Sequence, residues 1–123
     1  MQVIRATDAP RFRLPGVEFT VLAAPSSGSA GLCTWKVTVD AGHHAGEPHT
    51  LDRDEVFMVL DGTVRLTPDG DKLGPGDAAV VRAGEPIALA NLGEEAAELY
   101  VAITAGFTGT MADGTTIQPP WAQ

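Results

Sequence analysis

The chain has 123 residues, with sixteen Asp and Glu against eight Lys and Arg, a formal net charge of −8 and a hydrophobic fraction of 44%. That length predicts one domain with a real core rather than a two-domain enzyme, and the acidity argues against nucleic acid or an anionic membrane surface as partner, since either would repel the chain. The single cysteine, Cys33, allows neither an intramolecular disulfide nor a Cys-based structural zinc.

Residues 1–16 are expected to be an N-terminal arm. Their start, MQVIRATDAPRF, lacks the basic and apolar regions of a signal peptide, so a soluble cytoplasmic protein is the expectation. Val17 to Ala23 alternates, with Val17, Phe19 and Val21 on one side and Glu18 and Thr20 on the other. Cys33 to Asp40 alternates more clearly: Cys33, Trp35, Val37 and Val39 should face a core. His43 and His44 fall in a stretch that reads as a loop. The run Val56 to Leu60 is apolar throughout, which predicts that both of its faces are covered, by the core and by a second copy of the chain or a terminus.

Asp61 and Gly62, set between that run and Thr63 to Thr67, carry the signal of a two-residue type I′ hairpin. Pro68-Asp69-Gly70 and Gly74-Pro75-Gly76 then break the chain. Ala78 to Val81, Ile87 to Asn91 and Ala97 to Ala105 read as strands, the last with Leu99, Val101 and Ile103 on one face and Tyr100 pointing outward. GEEAAELY, residues 93–100, is too short and too close to β-branched residues for a helix and reads as turn plus strand. The tail, 106–123, ends in TTIQPPWAQ, where a stiff Pro119-Pro120 pair suits laying Trp121 over a barrel mouth or into a neighbouring subunit. About eight or nine short strands with little or no helix predict an all-β sandwich or small barrel of jelly-roll type spanning 1–123.

HTLDRDEVFMVLDG, from His49, and GDAAVVRAGEPIALAN, from Gly76, resemble the two motifs of the cupin superfamily. Glu55 and Gly62 take the Glu and final Gly of the first motif, and Gly76, Gly84 and Asn91 fall in register with the second. The resemblance implies a small single-domain cupin barrel. The family's metal ligands are two His and a Glu from the first motif and one His from the second. In this chain His49 and Glu55 match, but Leu51 and Ile87 stand at the other two His positions and Arg82 replaces a Pro.

Catalytic zinc and non-haem iron sites use three protein ligands, so His49 and Glu55 would need a third donor, His44 or Glu47, to hold a divalent transition metal. No cofactor is the first expectation. The resemblance otherwise implies a mostly apolar barrel pocket lined by Trp35, Val37, His49, Leu51, Glu55, Phe57, Ile87 and Leu89. Here His49 and Glu55 form either an acid/base couple or a buried structural hydrogen bond. Three functions follow: a binding module for a small apolar or aromatic molecule with a degenerate metal site, a metal-dependent cupin dioxygenase or isomerase, and a metal-free isomerase or cyclase with His49 as base. A homodimer is expected from the apolar Val56 to Leu60 strand.

Overall fold

Alternation decides which segments pair and which way their side chains point. In the computed structural model, which describes every residue from Met1 to Gln123, the strands are β1 (Arg11–Leu14), β2 (Val17–Ala23), β3 (Leu32–Val39), β4 (Thr50–Leu51), β5 (Glu55–Asp61), β6 (Val64–Arg65), β7 (Ala78–Val81), β8 (Ala90–Asn91), β9 (Ala97–Thr104), β10 (Gly109–Thr110) and β11 (Thr116–Ile117). Helix is confined to two single 3-10 turns, Pro25–Ser27 and Pro120–Ala122.

One layer is a six-stranded sheet in the order β1-β2-β3-β9-β5-β7. The other is assembled from shorter pieces, β11-β10-β4 and β6-β8. Isolated pairs, His49 with Ile87 and His44 with Ala90, join residues 44–51 to the 87–91 segment and make those pieces one curved wall. Cys33, Trp35 and Val37 of β3 and Leu99, Val101 and Ile103 of β9 meet Leu51, Val64, Leu66 and Ile87 of the shorter wall in one apolar core. The result is the all-β jelly-roll barrel that the strand pattern predicts.

Several expectations are corrected. The N-terminal arm stops at Pro10, because Arg11–Leu14 pairs with β2 as an edge strand. Thr20, expected on the polar side of β2, is buried at 6% exposure. It sits in register between Arg11 and Lys36, whose long stems flank it on that face. Asp61-Gly62 is not a hairpin turn: β5 pairs with β7 and β9, while β6 pairs with β8 in the other wall. A type I′ turn needs positive φ at both central residues, and here only Gly62 has it, at +90°. Gly62 instead marks the point where the chain leaves one sheet for the other.

The apolar run on β5 is covered on one side only. Phe57 and Val59 are buried, whereas Met58 and Leu60 are 36% and 40% exposed within the single chain. The C-terminal tail is part of the barrel: β10 pairs with β4, and Ala122 is buried, its carbonyl accepting from Cys33 Sγ at 3.5 Å.

The exposed Asp52-Arg53-Asp54 turn clamps two neighbouring loops to the start of β5. Asp52 Oδ1 accepts from the Thr108 amide, Arg53 donates to the Ala105 carbonyl at 2.6 Å, and Asp54 Oδ1 accepts from the Ala83 amide. Asn91 braces the opposite end, its buried amide donating to the carbonyls of Val39, Asp40 and Glu95 and accepting from Gly93 N.

A Cβ on Gly62 would lie 2.7 Å from the Ala97 Cβ, on a backbone that L residues rarely adopt. Gly62→Ala is therefore expected to lower unfolding stability by about 2–4 kcal/mol, from the left-handed backbone and the overpacking together. Urea denaturation checks it; a midpoint unchanged from the parent would show that the crossover tolerates a side chain.

Candidate functional site

The residues expected to line a pocket converge on one cavity. Trp35 and Val37 come from β3, and Glu55 and Phe57 from β5, because residues two apart on a strand share a face. His49, Leu51, Ile87 and Leu89 come from the opposite wall. His49 and Ile87 are direct cross-strand neighbours, each amide donating to the other's carbonyl at 3.0 and 2.8 Å. The cavity has a volume of about 110 Å³ and is lined by fifteen residues, eleven of them hydrophobic.

Seven of those lining residues lay outside the sequence reading of the pocket: Phe19, Val101, Phe107, Gly109, Ile117, Pro119 and Trp121. The PPW tail signalled Trp121 but not its partner. Its ring stacks on Phe19 with centroids 3.8 Å apart and planes 7° from parallel. Trp35 and Phe107 form a second aromatic contact at 6.2 Å. Gly109 leaves room: a Cβ there would stand 3.2 Å from both Leu51 and Ile117 side-chain carbons.

Glu55 is the departure in this apolar enclosure. It occupies an inward position of β5, in register with Val81 and Ile103, and is 4% exposed. Its Oε2 is sealed from solvent with no hydrogen-bond partner. Burial alone pushes its pKa up to about 8, so the carboxyl is largely protonated at neutral pH. Burial also lowers the His49 pKa, which leaves the imidazole neutral. No ion pair joins these two groups: the four ion pairs of the chain all lie on its surface and involve neither residue. They share a cavity as an uncharged acid and an uncharged base.

The donor set does not fit a three-ligand metal centre. Only His49 and Glu55 offer metal-binding atoms to the cavity, flanked by the aliphatic side chains of Leu51 and Ile87. No group of three His, Cys, Asp or Glu is positioned to hold an ion. His44 pairs with Ala90 and faces a different cavity, and Glu47 is exposed, so the fold brings neither to His49.

A protein-family model described as "Cupin domain" matches residues 35–103. No curated protein matches the chain. Among solved structures, the chain is similar to the polyketide cyclase RemF from Streptomyces resistomycificus, with 21% identity, 85% of this chain and 79% of that one covered, and a TM-score of 0.72. It is also similar to a sugar phosphate isomerase of the cupin superfamily from Silicibacter pomeroyi, with 18% identity, 97% and 94% coverage and a TM-score of 0.73. KdgF from Halomonas sp. shares 21% identity over 83% of this chain and 93% of its own, with a TM-score of 0.68. At these identities the likeness is one of fold.

The raised Glu55 pKa has a measurable consequence. The folded state keeps its proton up to about pH 8, while an unfolded glutamate loses it near 4.5. The stabilisation is thus fully present below the unfolded value and is lost as pH rises through the window between the two. Stability should fall there by up to about 1.4 kcal/mol per pH unit, and Glu55→Gln, which is neutral throughout, should flatten the slope. Urea midpoints of both proteins from pH 5 to 8 test this; parallel slopes would show that Glu55 ionises normally.

Proposed function

The chain belongs to the cupin family, and from that premise we propose that its barrel binds a small, largely apolar or aromatic organic molecule carrying one neutral oxygen acceptor. The observation that carries this reading is the sealed, unpartnered Glu55 Oε2 inside an apolar cavity. A buried polar group left without a partner costs about 1–3 kcal/mol. A carbonyl or hydroxyl oxygen of a ligand would accept the carboxyl proton and remove that cost. An anionic head group is disfavoured, because the cavity offers it no cation.

Size narrows the class further. The cavity, at about 110 Å³, lies below the roughly 300–1,000 Å³ of drug-sized sites, so the enclosed part of the occupant is about one ring or a short branched chain. The Trp121–Phe19 stack and Trp35 supply aromatic walls for such a ring. No metal enters this reading, because the two donors present fall short of the three that catalytic sites of this kind use.

A second reading rests on the same pair. A protonated carboxyl and a neutral imidazole in one cavity are the complement needed to polarise a carbonyl and remove an adjacent proton, with Glu55 as acid and His49 as base. This metal-free isomerase or cyclase chemistry needs the ligand's reacting carbon within reach of His49.

The exposed apolar side of the large sheet supports a further part of the proposal, a homodimer. Met58, Leu60, Val80 and Tyr100 are all more than a third exposed there, and burying such a patch is the usual reason for pairing. A cytoplasmic setting is proposed with it; no helix is long and apolar enough to cross a membrane, and Cys33 is a buried free thiol.

Acetophenone, a single ring with one neutral acceptor, is a suitable probe. It should quench tryptophan fluorescence with saturable binding that EDTA leaves unchanged, and Glu55→Ala should weaken it by about tenfold, the worth of one hydrogen bond to a buried partner. Loss of binding on chelation would overturn the metal-free reading. In heavy water, His49-dependent deuterium entry into the methyl group would favour catalysis over binding alone. For the dimer, sedimentation equilibrium should give twice the chain mass, reduced to the single mass in Met58→Lys; a monomeric parent would end that part.

A further inference from the structure

The small wall has a second, outward face, and it carries a different site. Directly opposed residues of antiparallel strands point the same way. Arg65 of β6 pairs with Ala90 of β8, and Ala90 pairs with His44 on its other side. Arg65, Ala90 and His44 therefore form one row across three adjacent strands. Ala90 is too small to fill the middle, so the two outer side chains flank a trough whose ends lie two strand spacings, about 9.6 Å, apart at the backbone. Residues two along each strand extend it: Thr67 beyond Arg65, and Ala88 and Leu92 beside Ala90.

This trough is a cavity of about 200 Å³, separate from the barrel interior. In a chain with sixteen acidic residues, none of its lining residues is acidic. Arg65 takes no part in any of the chain's ion pairs. Its Nε is sealed from solvent and has no hydrogen-bond partner. A half-buried guanidinium with an unsatisfied donor, a hydroxyl at Thr67 and an imidazole N–H at His44 form a donor set with no acceptor supplied by the fold. The floor of Ala88, Ala90 and Leu92 is apolar.

We propose that this trough binds a small carboxylate with an apolar body, its head group held by Arg65 and its body resting on the alanine floor. A planar carboxylate matches the fork geometry of a guanidinium. Thr67 and His44 donate from the two sides. The site is independent of the barrel cavity, whose chemistry suits a neutral acceptor, so the two can be occupied together and by different ligand classes.

The test is an NMR titration of the intact 15N-labelled chain with benzoate at constant ionic strength, with benzyl alcohol as the uncharged control. Benzoate should shift the Arg65 Nε–H resonance together with the amides of Ala90 and His44. Benzyl alcohol should not. The Trp121 indole N–H reports the barrel separately, so a failure of either site is read on its own signal. Arg65→Gln should weaken benzoate binding at the trough by about tenfold or more, the worth of hydrogen bonds to a charged group. Equal shifts with the alcohol, no shift at Arg65 Nε–H, or unchanged affinity in Arg65→Gln would each overturn the proposal; the first two need no variant and so do not depend on its folding.

Discussion

The barrel interior is organised around an acid that strand geometry forces into it. Glu55 opens β5, and period two commits it to the same face as Phe57 and Val59. With Val81 and Ile103 as cross-strand neighbours, no cation reaches it, and the cheapest response is to keep the proton. The neutral state of His49 has the same origin in burial. Two aliphatic side chains, Leu51 and Ile87, complete an environment in which uncharged forms are favoured. The preference for neutral, mostly apolar occupants that we propose for the cavity rests on that one constraint.

Holding such a cavity open requires walls that do not collapse on it, and the short wall has few ladder bonds of its own. Side chains and loop bonds compensate. The Asp52-Arg53-Asp54 turn ties the loops at 83 and 105–108 to the start of β5, and Asn91 gathers three carbonyls at the far end. The tail adds the last panel by stacking Trp121 on Phe19. Charged and polar residues that look like solvated loop therefore set the position of apolar ones.

The 87–91 segment shows how one strand serves two surfaces. Ile87 and Leu89 point into the barrel, while Ala88 and Ala90 point out to the trough. Large residues inside fill the core and define a small cavity. Small residues outside leave space between Arg65 and His44. The same alternation separates a neutral, apolar interior from a cationic exterior groove in a protein whose overall charge is −8.

Much of this could be read from residue order. Period-two runs identified β2, β3 and β9, and the inward rows on β3 and β5 together with His49, Leu51, Ile87 and Leu89 named eight residues that the structure places around one cavity. Those features are local: an alternating segment presents one face whatever strand it meets. Asp61-Gly62 misled because turn chemistry cannot say whether the next strand returns to the same sheet, and β6 crosses to the other. Strand pairing between distant segments also decided that Met58 and Leu60 face outward and that His44 falls in a row with Ala90 and Arg65 rather than beside His49. It likewise set Phe19 under Trp121. Side-chain direction is written in consecutive residues, whereas neighbours across a sheet depend on register over long sequence separations, which only the folded chain settles.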